Sequence, residues 1–190
     1  MKCYHRSIRW LASWLLVLPI GGCGLTIYTA AQKGDAMAFQ LQSSVFKAGS
    51  EIPQKFTCQG SDISPALSWS GAPAGTKSFA LIADDPDAPA GTWVHWVIYN
   101  LPASATQLAE NVPKSAKAPD GGTQGTNDFK KLGYGGPCPP PGNAHRYFFK
   151  LYALDTSLNL KPGASKADLE NAMKGHTVGH AELIGTYKRQ

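Results

Sequence analysis

His95 and His145 are the side chains of this sequence best placed to do chemistry, because each lies in an apolar run that adjoins a proline-stiffened loop. Ahead of His95 stands Asp85-Pro86-Asp87-Ala88-Pro89, where a proline of fixed φ holds two carboxylates in a rigid turn. Ahead of His145 stands Gly133-Tyr134-Gly135-Gly136-Pro137-Cys138-Pro139-Pro140-Pro141, in which glycines permit positive φ and prolines favour extended polyproline geometry. An imidazole can donate, accept or carry charge near neutrality. A stiff loop beside one implies a pocket formed before any ligand arrives. The same residues can also serve as turns capping a sheet, with the histidines satisfied at its rim. If their geometry converged, Asp85, His95 and His145 could form a two-histidine, one-carboxylate metal site.

Strands must carry both histidines. Read at period two, His145, Tyr147, Phe149 and Leu151 share one face of a strand, and Arg146, Phe148, Lys150 and Tyr152 the other. From Trp93 to Pro102 the same reading puts Trp93, His95, Val97 and Tyr99 on one face. Between Lys77 and Ala83 the run Phe79-Ala80-Leu81-Ile82-Ala83 is apolar on both faces, as a central strand in a layered sheet requires. Shorter strands are predicted over Phe39 to Phe46, Leu67 to Trp69 and about Ala181 to Tyr187. Ser165 to Asp168 forms a capping box, and Leu169, Ala172, Met173 and His176 follow at helical spacing, which makes His176 a packing residue. The polar stretch from Ala103 to Asp128 is predicted to be a long surface excursion. No internal repeat or heptad pattern is present.

The first 22 residues stand apart. Lys2, Arg6 and Arg9 precede an apolar run from Trp10 to Ile20, which is too short to span a bilayer and is predicted to be a secretory signal. It ends in Ile20-Gly21-Gly22-Cys23-Gly24, similar to a bacterial lipobox in which Cys23 becomes lipidated. Residues 23–38 are then a tether and 39–190 the domain. Cleavage a few residues later would instead give a soluble periplasmic protein. The chain carries 18 basic and 13 acidic residues, +5, but three of the basic ones lie in the signal, leaving 15 − 13 = +2. So small a surplus, without a basic run among aromatics, argues against nucleic acid as partner. Cys3 leaves with the signal and Cys23 is assigned to the anchor, so Cys58 and Cys138 remain, and an oxidising compartment allows a disulfide between them.

Taken together, Asp85-Pro86-Asp87-Ala88-Pro89, Trp93-Val94-His95-Trp96, Gly136-Pro137-Cys138-Pro139-Pro140 and His145-Arg146-Tyr147 resemble the signature of the phosphatidylethanolamine-binding protein family. The bacterial Raf-kinase-inhibitor-like branch is the most similar, and Phe56-Thr57-Cys58, Asp62-Ile63-Ser64-Pro65 and Leu183-Ile184-Gly185-Thr186-Tyr187 extend the likeness over most of the domain. The resemblance implies a mainly β fold of two antiparallel sheets with Greek-key connections and a few peripheral helices. It also implies a small cavity for phosphate or a phospholipid head-group, formed here by Asp85, His95, His145 and Tyr147 with Trp93, Pro89 and Pro137 as walls. The expected function is non-enzymatic binding of such an anion, without metal or cofactor, by a domain held at a membrane through a lipid anchor. The alternative is an interaction or inhibitor module with a protein partner. A domain outside the cytoplasm would not meet a cytosolic kinase. An enzyme is disfavoured by the lack of a G-x-S-x-G elbow.

Overall fold

The computed structural model describes residues 38–190. The predicted signal, the lipidation at Cys23 and nearly all of the tether lie outside the described residues. Two antiparallel sheets dominate. One has three strands, β1 (Gln40–Ser43), β2 (Leu67–Ser70) and β5 (Gln107–Leu108), in the order β1-β2-β5. The other has five, β3 (Ser78–Asp85), β4 (Trp93–Pro102), β6 (Thr123–Gln124), β7 (His145–Leu154) and β8 (Thr177–Tyr187), in the order β6-β4-β3-β7-β8. The chain thus leaves the larger sheet after β4, adds β5 to the smaller one and returns. The β fold expected from the resemblance is the fold observed, with one α-helix and one 3₁₀ turn among the described residues.

β3 lies at the centre and every one of its eight residues is buried. Phe79, Leu81 and Ala83 face the main core, which is shared with Leu41, Leu67 and Trp69 of the smaller sheet. Ala80 and Ile82 face a second core closed by Leu169 and Met173 of α1 (Lys166–Met173). Burial on both sides is why the strand reads as a continuous apolar run. Asp84, fully buried on this strand, is held by Lys150 Nζ at 2.8 Å and Lys166 Nζ at 2.6 Å, which pins the start of α1 to the sheet. The capping box of α1 is present, with Ser165 and Asp168 satisfying each other's backbone N–H.

Three sequence expectations are corrected. His176 does not pack against the helix; it is exposed and its ring Nδ1 lies 2.9 Å from Asp155 Oδ1, because α1 ends at Met173 and Gly175 turns the chain away with a φ of 78°. The stretch from Ala103 to Asp128 is not a surface excursion: it contributes β5 and β6, and Leu108, Val112 and Ala118 enter the main core. Its polar residues hid this. Gln124 is fully buried because its amide is completely engaged, accepting from Trp96 Nε1 at 2.9 Å and donating to the carbonyls of Pro113 and Ser115. The third correction concerns the face of His95. Asp84 pairs with Val94 and Ala83 with Trp96, so His95 is the extra residue of a β-bulge. The bulge resets the alternation. Val97 and Tyr99 pack in the second core with the helix, whereas His95 turns toward Tyr147 of the main core.

Candidate functional site

The turn after β3 and the first residues of β7 are joined by carboxylates. Asp85 Oδ2 accepts from His145 Nδ1 at 2.8 Å, while its Oδ1 accepts from the backbone N–H of Asp87 at 2.8 Å. Asp87 in turn accepts from the backbone N–H, Nε and Nη2 of Arg146, at 3.0, 2.9 and 2.7 Å. The Arg146 guanidinium holds the Asp87 carboxyl down at about 2, against an ordinary 3.8. Two carboxylates flanking a proline thus engage two consecutive residues of a strand 60 positions away along the chain.

His95 is held from the other side. Its Nδ1 donates to the carbonyl of Gly135 at 2.7 Å, and the Gly135 N–H donates back to the His95 carbonyl at 2.8 Å. The ring is 4% exposed, and burial pushes its pKa down, opposed by the Gly135 carbonyl and the charge of Asp85. Tyr147 stands edge-on to it with ring centroids 5.2 Å apart, and Phe129 does so at 5.4 Å. Burial pushes the Tyr147 phenol up, with the neighbouring Asp85 carboxylate adding to the effect.

The loop from Gly133 to Pro141 closes the site and is itself clamped. Gly136 N–H donates to Asp62 Oδ1 at 2.6 Å, Tyr134 Oη donates to the Phe56 carbonyl at 2.7 Å, and Cys58 N–H donates to the Pro137 carbonyl at 3.1 Å. A disulfide joins Cys58 to Cys138, with their Cα atoms 5.3 Å apart. Gly136 is required by contact: a Cβ there would lie 2.4 Å from the Phe56 carbonyl oxygen.

These elements enclose a cleft of about 350 Å³ lined by Asp85, His95 and His145, with Pro89, Trp93, Phe129, Pro139 and Pro140 among its walls. Asp85, His95, His145, Trp93 and Pro89 are therefore brought together from three separate segments. Two of the expected residues are placed differently. Tyr147 packs behind His95 in the main core and does not line the cleft, and Pro137 is buried with its carbonyl on Cys58, leaving the wall to Pro139 and Pro140. Phe129 was missed by the sequence reading, although an isolated aromatic in a polar stretch is the signal that marks it. It separates the cleft from a smaller cavity of about 180 Å³ lined by Asp62, Lys114 and Lys131. Among the described residues no three His, Cys, Asp or Glu side chains are grouped as a metal site. Asp85 has spent both oxygens on protein donors.

The profile of the phosphatidylethanolamine-binding protein family matches residues 42–188. The chain belongs to that family. A UPF0098 protein of Methanothermobacter thermautotrophicus is 57% identical over 149 residues, covering 78% of this chain and 98% of the relative. A second, of Aquifex aeolicus, is 54% identical and covers 77% and 86%. Among solved structures, a phosphatidylethanolamine-binding protein homologue of Chlamydia trachomatis superposes with a TM-score of 0.73 at 43% identity, and YbcL of Escherichia coli with 0.75 at 37%. Each covers 80% of this chain and 99% of its own. The family's binding-protein character applies to this chain at that level.

Proposed function

We propose that the chain is an exported, lipid-anchored binding protein whose cleft captures a small phosphorylated anion, a free phosphate or a phospholipid head-group, without transforming it. One observation carries this reading. Each of two imidazoles from different strands that line the cleft has its Nδ1 tied down, His145 by Asp85 and His95 by Gly135, so the second ring nitrogen of each is the one left for a ligand. Aromatic and proline walls keep water back, which strengthens polar contacts made inside. The lining offers no serine, threonine or lysine, and its cysteine is in a disulfide, so it supplies no hydroxyl, amine or free-thiol nucleophile. Export is supported by that disulfide and by the N-terminal signal pattern, and anchoring by the lipobox at Cys23.

The test is calorimetric titration of O-phosphoethanolamine into wild type, His95→Ala and His145→Ala, with a thermal melt of each. A hydrogen bond to a charged group contributes about 1.5 to 3 kcal/mol, so each variant should bind roughly ten- to a hundred-fold more weakly while still folding. Binding by both as tight as wild type contradicts the reading. For the anchor, Cys23→Ser should move the protein to the soluble fraction or leave it unprocessed; wild-type fractionation and mobility would remove the lipoprotein claim.

A further inference from the structure

The two free ring nitrogens restrict the form of the anion, an inference that rests on the binding reading above. No lysine or arginine lines the cleft. Arg146, next to His145 in sequence, is committed to Asp87 through its Nε and Nη2. Positive charge can therefore come only from imidazole. A carbonyl oxygen accepts and never donates, so Gly135 fixes a proton on His95 Nδ1 and leaves a lone pair on Nε2. A second proton on that ring is opposed by its burial, which outweighs the pull of Asp85 on β3 and Asp128 on the turn before Phe129. Tyr147 on β7, edge-on to the ring, stays a neutral phenol. One side of the cleft thus presents an acceptor. His145 differs, because its Nδ1–H is donated to a carboxylate, and Asp85 compensates the charge when Nε2 also carries a proton.

We propose that the cleft selects an oxyanion that keeps one proton, whose P–OH donates to His95 Nε2 while a P–O⁻ accepts from His145 Nε2–H. The ligand class is a phosphate monoester or phosphonate in its monoanionic form. A sulfate monoester or a carboxylate has lost its only acidic proton at neutral pH, and its oxygen would meet the His95 lone pair with nothing to share. Both groups would then be desolvated and unpaired.

The experiment titrates wild-type protein with O-phosphoethanolamine and with its sulfate counterpart, ethanolamine O-sulfate, at pH 5.5 and 7.5. A phosphate monoester loses its second proton near pH 6, so affinity should fall at least roughly 25-fold across that interval, and the sulfate ester should bind at neither pH. Sulfate binding at comparable affinity, or phosphate binding that does not change with pH, overturns the proposal and leaves the anion site standing. Sulfate binding that follows the same pH profile also overturns it, by placing the dependence on the protein alone. If neither ester binds, the anion reading fails and this inference with it.

Discussion

Asp85 and Asp87 differ by two positions and have different tasks. Asp85, 2% exposed, is a positioning residue that fixes the ring of His145, while Asp87 ties the turn to Arg146 nearer the surface. The Asp87 carboxyl is depressed in the folded protein, so its contribution is fully present above about pH 4 and is lost as pH falls toward about 2. Partly exposed pairs contribute about 1 kcal/mol or less. Asp87→Asn should therefore melt slightly below wild type at pH 6, and the gap should narrow steadily below pH 4 as pH falls through about 2. A gap that persists unchanged in acid would mean that the pair is not the source. His145 was readable from the sequence because β7 alternates without interruption, buried at His145, Tyr147, Phe149 and Leu151. His95 was readable as a site residue and not in its orientation. A bulge leaves no mark in a run of Trp, Val, His, Trp and Val, where every residue is compatible with either face.

At the scale of elements, the cleft is made where β3 ends and β7 begins, with β4 supplying His95 through its bulge and a clamped loop supplying the far wall. The proline content of that loop announced stiffness, but the identity of its wall residues was not legible. Pro137, Pro139 and Pro140 look equivalent in sequence, and it is the clamp on Gly136, Pro137 and Cys138 that leaves Pro139 and Pro140 on the cleft wall. The buried polar stretch from Gly122 to Asn127 was illegible for a related reason: side chains such as Gln124 enter a core only when every donor and acceptor is met. The loop clamp can be tested at Gly136. Gly136→Ala would drive a Cβ into the Phe56 carbonyl and Thr57 Cα, both backbone atoms, and overpacking of this kind costs about 1 to 3 kcal/mol. The variant should melt lower and bind phosphoethanolamine more weakly, because the proline wall must shift. Gly49→Ala meets no atom within 4 Å but is strained by its positive φ, so it serves as a control for destabilisation remote from the loop, with binding unchanged. Equal binding by Gly136→Ala and wild type would mean that the loop does not set the wall.

Over the whole described domain, the central strand and the helix could be anticipated because β3 is apolar on both faces and the helix carries its own capping box, whereas the two-sheet arrangement was implied only by the family resemblance. The disulfide closes a span of 80 residues, linking the segment that follows the 3₁₀ turn at Gln54–Phe56 to the cleft wall. On the chain-entropy account a loop of that size contributes about 4.5 kcal/mol, so Cys58→Ser with Cys138→Ser should lower stability by up to that amount in urea unfolding. An unchanged midpoint would place the stability of the loop in its three hydrogen bonds instead. The central claim is that His95 and His145 converge on one ligand. It is tested most directly by a crystal grown without phosphate, sulfate or cacodylate and soaked with O-phosphoethanolamine. The phosphoryl group should be found between the Nε2 atoms of His95 and His145, within hydrogen-bond distance of both. Phosphoryl density beside Lys114 and Lys131, on the other side of Phe129, with the cleft holding only solvent, would contradict it.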